Sequence, residues 1–126
     1  DVPRYDFATH SRRPTPERIE PSPVVLVDGI LLLANPAAAA LLDLSIFLHV
    51  DAALRLQRRI ARDVVERGRS EASVRRQFAE SVAPMHDQFV QPSGERADRI
   101  IRWPADFETL SAELAGVIRT LLPVQG

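Results

Sequence analysis

Two long apolar runs constrain the fold of this chain more than any other feature. The first covers residues 23–33, is rich in valine and contains Asp28-Gly29, and the second covers residues 44–50. Runs without polar alternation are typical of strands buried on both faces, as in a parallel sheet covered by helices. We therefore expect core strands within residues 23–50 and an α/β layered fold.

Helices are predicted between and after these runs. Residues 35–42 suit a short helix with Pro36 at its first position. Residues 52–66 place apolar side chains on one side and arginines on the other, with Asp51 as a cap and Gly68 as the break. Residues 1–22 are predicted to form an ordered loop. After Gly68, Ser70 is predicted to cap a second helix, which Pro84 kinks or restarts and which carries an apolar stripe of Val74, Phe78, Val82, Met85 and Phe89. The last predicted elements are a turn at residues 92–94, a short strand at residues 98–102 and an amphipathic helix at residues 107–121.

Composition excludes several classes of function. The 126 residues are 45% hydrophobic and 26% charged, which indicates one globular domain or a large part of one. The net charge of -1 gives no overall attraction to nucleic acid or anionic membrane. The absence of cysteine excludes disulfides and thiolate metal sites, and the longest apolar run is too short to span a bilayer. We expect a cytoplasmic protein that binds neither a nucleic acid polymer nor a membrane.

The basic residues are also unusual, because all 16 are arginine and none is lysine. A phosphate-binding loop of the Walker type requires a lysine, so this chain contains no such loop. The sequence opens at Asp1 without an initiator methionine, and we interpret it as a piece of a longer protein.

The strongest candidate for chemistry is a group of arginines around the predicted helix break. Arginine guanidinium groups bind phosphate oxygens in a bidentate manner and stay charged, so a helix and turn that carry several of them suit a phosphoryl-transfer lid. The alternative is a solvated face that local carboxylates neutralise. The residues concerned are Arg59, Arg62, Arg67 and Arg69, with Asp63 and Glu66 between them.

Two further candidates lie nearer the start of the chain. Asp28 lies within the first apolar run, at the end of the predicted strand, where a carboxylate can hold Mg²⁺ near a nucleotide or simply begin a turn. In the loop, Tyr5 and Phe7 could stack on a base and His10 could bond its edge, or these rings could pin the loop down.

Together these segments resemble the uridine kinase family. Residues 5–12 match its Tyr-Asp-Phe-x-x-His-x-Arg run, and residues 58–69 match every fixed place of its Arg-Arg-x-x-Arg-Asp-x-x-Glu-Arg-Gly-Arg lid motif. Residues 28–31, Asp-Gly-Ile-Leu, stand where the family has Glu-Gly-Ile-Leu, and residues 77–93 resemble the following helix and turn. The resemblance runs from Pro3 to about residue 101.

The resemblance implies a fold and a division into segments. The fold would be a partial P-loop-kinase-type, three-layer α/β fold with parallel strands and a helical lid. Residues 1–22 would form a nucleoside-binding loop, 23–50 core strands, 52–69 the arginine lid, and 70–126 the C-terminal helices and strand of a single partial domain.

The resemblance also implies an activity, the phosphorylation of the 5′-hydroxyl of uridine or cytidine by ATP or GTP with Mg²⁺. Asp28 would support the metal, although it is one methylene shorter than the family's glutamate. In the nucleoside site, Tyr5 and His10 would contact the pyrimidine edge, Phe7 its face and Arg59 the ribose, with Arg69 and Gln77 helping to hold the nucleoside. Arg62 and Arg67 would act catalytically on the phosphates.

Two departures from the family keep alternatives open. The first departure is that the phosphate loop belongs to the family's N-terminal half, so this chain alone is expected to be inactive. The second is that residues 102–106 stand in place of the family's Pro-Arg-Gly-Gly stretch near the donor's adenine. One alternative is a kinase for a sugar or another small alcohol, which would not need base-stacking aromatics. Another is a catalytically silent nucleotide-binding or assembly module, and homo-oligomerisation stays open for either.

Overall fold

The computed structural model describes residues 2–6 and 11–122. In the N-terminal loop, strand β1 (Tyr5–Asp6) pairs antiparallel with β2 (Ser11–Arg12). Val2 and Glu17 exchange backbone hydrogen bonds of 2.8 and 2.9 Å beyond this pair. Within the described part of the predicted loop, these strand pairings were not revealed by the sequence pattern.

The central pair of strands is parallel. Strand β3 (Ile46–His49) lies beside β4 (Arg99–Arg102), with the first residues of the two strands aligned and the last residues aligned. The ladder continues past its end, where the Trp103 N–H donates to the carbonyl of the last residue of β3 at 2.9 Å. Both strands were predicted, and their parallel pairing with helices around them confirms the α/β class.

A polar junction fixes the beginning of this strand pair. Asp98 Oδ2 accepts from the backbone N–H of Ser45 at 2.7 Å and from its hydroxyl at 2.6 Å. The Asp98 N–H in turn donates to Ser45 Oγ at 3.0 Å. The hydrogen bonds from Ser45 hold the pKa of Asp98 below its ordinary value. This reciprocal pairing sets the strand register from one end.

The first apolar run does not form the predicted strand. Residues 24–29 form neither a strand nor a helix, and residues 30–34 form a turn. Val25 and Leu26 are 66% and 86% exposed, so the prediction of a doubly buried strand is wrong for the described structure. A strand is stabilised by hydrogen bonds to its neighbours, and no described segment pairs with this one.

The next two helices begin as the sequence indicates. Helix α1 (Pro36–Ala39) is capped by Asn35, whose side chain accepts from the N–H groups of Ala37 and Ala38. Helix α2 (Ala52–Arg67) begins after Asp51, but the Asp51 side chain makes no capping hydrogen bond. Asp51 therefore occupies the N-cap position as predicted, but the prediction that its side chain caps the helix is wrong.

Helix α2 ends at Gly68, which has a left-handed φ of 61°. Glycine adopts this conformation without the steric cost that a Cβ atom imposes. Ser70 then caps helix α3 (Glu71–Gln77), accepting from the Ser73 N–H at 3.3 Å. The predicted break and the predicted second cap are both confirmed.

Beyond α3 the helix continues in a looser form. Residues Phe78–Val82 and His86–Val90 are π-helical and flank a short α4 (Ala83–Met85). A π-turn closes i→i+5 hydrogen bonds, so it rotates later residues off the face that an α-helical period predicts. Phe78 is buried accordingly, whereas Phe89 is 48% exposed. The predicted apolar stripe therefore holds only in its first half.

The predicted turn near residue 92 is a 3-10 helix, Gln91–Arg96, that packs against β3. A Cβ atom on Gly94 would lie 2.9 Å from Cδ1 of the Phe47 ring. Gly94→Ala is expected to lower the free energy of unfolding by about 1–3 kcal/mol, because the ring must move. Chemical denaturation of the full-length protein measures this loss.

Gly116 gives a matched control for this substitution. It lies inside helix α5 (Phe107–Leu121), and an added Cβ atom would meet nothing within 4 Å. Gly116→Ala is expected to raise stability by about 0.5–1 kcal/mol, since alanine favours the helix. Equal effects of the two substitutions would contradict the close approach of Gly94 to the ring.

Helix α5 closes the described chain. Asp106 caps it, accepting from the N–H groups of its first turn. At its start the Trp103 ring contacts Phe107 with ring centroids 5.3 Å apart, and the guanidinium of Arg58 lies 4.4 Å from the Trp103 centroid. These contacts join α2 to the end of β4, so Trp103 packs between the two elements. Across residues 2–6 and 11–122, none of the helices is both long and apolar enough to cross a membrane.

Candidate functional site

Four arginines surround one buried carboxylate at the end of α2. We call Arg59, Arg62, Arg67 and Arg69 the arginine cluster, and the carboxylate is that of Asp63, which is 0% exposed. Helical spacing brings the α2 members to one side of the helix. The left-handed turn then brings Arg69 back, and its backbone N–H donates to the Asp63 carbonyl at 3.1 Å.

The two oxygens of Asp63 divide the cluster into two pairs. Oδ1 accepts a hydrogen bond from Arg62 Nε at 2.9 Å, and Arg67 Nη1 lies 3.3 Å from the same oxygen. Oδ2 lies 3.5 Å from Arg59 Nε and 3.6 Å from Arg69 Nη1. We call Arg62 and Arg67 the outer pair, and Arg59 and Arg69 the inner pair.

Exposure separates the same two pairs. The side chains of the inner pair are 23% and 29% exposed, whereas those of the outer pair are 46% and 51% exposed. Guanidinium groups that are half exposed can reach an incoming anion without breaking up the helix–turn–helix. The outer pair therefore has the freedom to bind phosphate oxygens.

Helix α3 holds the inner pair through an amide. Gln77 Oε1 accepts from Arg59 Nη2 at 3.0 Å and from Arg69 Nη1 at 2.7 Å. Arg69 Nη2 also donates to Ser73 Oγ at 3.0 Å. Because the Gln77 oxygen is used by the arginines, its two amide N–H donors remain for another acceptor. The inner pair and Gln77 form one polar network.

The charge state of Asp63 follows from two opposing causes. Burial raises the pKa of the Asp63 carboxyl, but the hydrogen bond from Arg62 and the charges of Arg62, Arg67 and Arg59 outweigh burial and lower it overall. The carboxylate is therefore ionised at neutral pH, and the cluster keeps an excess of positive charge.

This lowered pKa predicts an acid-dependent loss of stability. The unfolded chain binds a proton at Asp63 near the ordinary aspartate pKa of about 4, whereas the folded chain does so only at lower pH. The stabilisation by Asp63 is thus complete above about pH 4 and is lost as the pH falls through the folded pKa. Unfolding of the full-length protein followed between neutral and acid pH is expected to show a shallower decline for Asp63→Asn than for wild type. Parallel declines would contradict the ion pairing.

The structure brings together five of the predicted site residues, namely the arginine cluster and Gln77. Tyr5 lies in β1 and is 46% exposed, while Phe7 and His10 lie outside the described residues. Asp28 lines an open cavity of about 490 Å³ between residues 25–33 and β3. No member of the arginine cluster lines that cavity, so the structure does not bring Asp28 to the cluster.

The sequence interpretation missed two members of the site. Only the alternative interpretation, a solvated face that local carboxylates neutralise, gives Asp63 a role, yet its side chain is fully buried. Its i,i+4 spacing from Arg59 and to Arg67 was the available signal. Ser73, which contacts Arg69, carried no signal beyond its position in the first turn of a capped helix.

Comparisons with known proteins give the site its context. The family model described as Phosphoribulokinase / Uridine kinase family matches residues 1–109. A protein named uridine kinase from Chloroflexus aurantiacus is 49% identical over 100 residues, which cover 79% of this chain and 48% of that relative. Another from Chloroflexus aggregans is 41% identical over 125 residues, covering 96% of this chain and 60% of the relative. One from Halobacterium salinarum is 44% identical over 101 residues, covering 80% and 45%. The chain spans about half the length of the curated relatives it matches.

The fold and the site define an α/β protein with a parallel strand pair and a cationic helix–turn–helix. The chain belongs to the phosphoribulokinase and uridine kinase family. This membership confirms the resemblance read from the motifs. The family is one of kinases and implies a P-loop kinase fold, to which the described strands and helices contribute the α/β part.

Proposed function

We propose that the full-length protein transfers the γ-phosphoryl group of ATP or GTP to the 5′-hydroxyl of uridine or cytidine, giving UMP or CMP. The observation that carries this proposal is the division of the arginine cluster into an exposed outer pair and an inner pair tied to Gln77. Such a division suits a site that handles a phosphate chain and a polar nucleoside side by side. The names of the relatives support the same substrate class. A reaction of this kind belongs to cytoplasmic pyrimidine salvage.

The outer pair supplies the catalytic groups in this proposal. During transfer, charge spreads over the oxygens of the moving phosphoryl group, and preorganised cations stabilise it without reorganising. Arg62 and Arg67 are half exposed and share one carboxylate oxygen, so both can turn toward a phosphate while Asp63 limits their range.

The inner pair supplies nucleoside binding. Arg59 and Arg69 point donors at one region, and Gln77 adds its free amide N–H groups there. Ribose hydroxyls accept such hydrogen bonds equally well before and during reaction. In the N-terminal loop, Tyr5 and His10 would contact the pyrimidine edge and Phe7 its face.

Mg²⁺ is the metal that this reaction implies, and Asp28 is the residue that would hold it. Asp28 presents an exposed carboxylate beside the open cavity. One carboxylate suffices for Mg²⁺, which keeps several waters and binds substrate phosphates as well. Among the described residues, no group of three acidic or histidine side chains forms a larger cage. When bound, the metal supplies charge neutralisation between the donor's phosphates.

The full-length protein incubated with uridine, ATP and Mg²⁺ tests the proposal directly. Chromatography is expected to show UMP above a heat-inactivated control, with cytidine also accepted and free ribose refused. Phosphorylation of free ribose at a comparable rate would favour the small-alcohol kinase instead. ATP binding without any nucleoside monophosphate would favour the catalytically silent module.

A further inference from the structure

Asp63 is the common partner of two groups of arginines that have different surroundings. Its side chain is completely buried, and both of its oxygens face guanidinium nitrogens within 3.6 Å. The outer pair lies on Oδ1 and the inner pair on Oδ2. One rigid carboxylate therefore stands between the arginines assigned to phosphate and those assigned to the nucleoside.

The contact between Asp63 and Arg59 of the inner pair is not a complete hydrogen bond. Asp63 Oδ2 and Arg59 Nε are both buried and neither has a hydrogen-bond partner, although they lie only 3.5 Å apart. A small movement of Arg59 would complete this bond. Leaving two such atoms unsatisfied is costly, so a conformation that joins them is favoured once a ligand repositions the arginine. Hydrogen bonds in ligand-free sites often tighten in this way when substrate binds.

The net charge of the arginine cluster and Asp63 also favours the binding of an anion. Four guanidinium groups against one carboxylate leave a formal excess of about three positive charges among the ion-paired residues. If Asp63 served only to stabilise the end of α2, one arginine would be enough to pair with it, and the excess of positive charge would have no purpose. Arginines held close together around one buried carboxylate repel one another, and an incoming anion relieves that repulsion.

We propose that Asp63 is a positioning residue that couples the two pairs, so that phosphate binding at the outer pair draws the inner pair into its nucleoside-binding geometry. The coupling rests on the proposed function for its two ligands. By linkage, nucleoside binding must strengthen phosphate binding to the same degree. The alternative is that Asp63 only stabilises the end of α2.

A wild-type measurement tests the coupling without any substitution at Asp63. The arginine Nε–H signals of the full-length protein are followed by nuclear magnetic resonance while tripolyphosphate is added. Coupling predicts that the Arg59 and Arg69 signals move together with those of Arg62 and Arg67, at the same midpoint. Movement of the outer pair alone, or of neither pair, overturns the proposal.

A mutant cycle in the kinase reaction provides the second test. Asp63→Asn keeps the shape of the side chain and removes its charge, and it is expected to lower kcat/KM about 10-fold or more. In a protein that already carries Arg62→Ala and Arg67→Ala, the same change is expected to cost less than about threefold, because the outer pair that Asp63 couples to the inner pair is gone. Losses that multiply would mean that Asp63 acts independently of the outer pair, and the proposal would fail.

These two tests separate this proposal from the proposed function. A wild-type protein that phosphorylates no nucleoside refutes the function, yet the tripolyphosphate titration still decides whether Asp63 couples the pairs. An active wild type with independent arginine signals and multiplying losses refutes only the coupling.

Discussion

Replacing Arg62 or Arg67 with alanine is expected to lower kcat for nucleoside phosphorylation about 100-fold or more, and the loss falls mainly on kcat rather than on the nucleoside KM. Both side chains are about half exposed and share Asp63 Oδ1, so each is free to follow charge onto the transferring phosphoryl group. An interaction that strengthens only in the transition state appears in kcat. Steady-state kinetics of the full-length protein measure the effect.

Two controls sharpen this expectation. Arg62→Lys and Arg67→Lys keep the charge but remove the planar fork, and they are expected to remain impaired. Arg75 lies on α3 in an exposed pair with Glu71 at 2.7 Å, away from Asp63, so Arg75→Ala is expected to change kcat less than about threefold. Wild-type kcat in both Arg62→Ala and Arg67→Ala would show that the arginine cluster is only a solvated face.

Arg59→Ala is expected to have the opposite kinetic signature, a rise in the nucleoside KM of about 10- to 100-fold with a smaller change in kcat. Arg59 is three-quarters buried and is tied to Gln77 Oε1 at 3.0 Å, which holds its donors in a fixed direction. Ribose hydroxyls would accept these donors in the ground state and the transition state alike. Kinetics at varied uridine and saturating ATP measure the change.

Gln77→Glu offers a second variant for this test. It keeps an acceptor for both inner arginines, removes the two amide donors and adds a negative charge beside the inner pair, so a ligand bound through the amide loses its donors. A nucleoside KM that rises in Gln77→Glu as well would place the ligand beside this amide. If Arg59→Ala raises the KM for ATP and leaves that for uridine unchanged, the assignment of the inner pair is wrong.

Much of the local structure followed from short-range chemistry. The extent of α2, the helix break at Gly68 and the Ser70 cap were all predicted, because caps and helical periodicity act over a few residues. Strand β3 was predicted for the same reason, from one apolar run between two predicted helices.

The errors came from effects that a single segment does not encode. Residues 23–33 have the composition of a strand, yet a strand also needs a hydrogen-bonded neighbour. The stripe through Phe89 assumed an α-helical period, which the π-turns on either side of α4 change.

The candidate site shows a similar limit. The arginines were found because their spacing matches a motif, whereas the role of Asp63 depends on the turn that brings Arg69 back across the helix end. Neighbours that meet through a turn leave no periodic trace in the sequence. The family resemblance implies the same two pairs, but the buried carboxylate that they share is visible only in three dimensions.

The uncovered apolar segment at residues 24–31 has a practical consequence for handling the chain. Five of its side chains, Val25, Leu26, Val27, Ile30 and Leu31, are each more than half exposed. A stretch with high β-propensity and only one charge is a template for edge-to-edge self-association. Solutions of the chain in this form would aggregate increasingly as concentration rises, and a charged substitution at Leu26, which is 86% exposed, is the change that would counter aggregation with the least disturbance of packing.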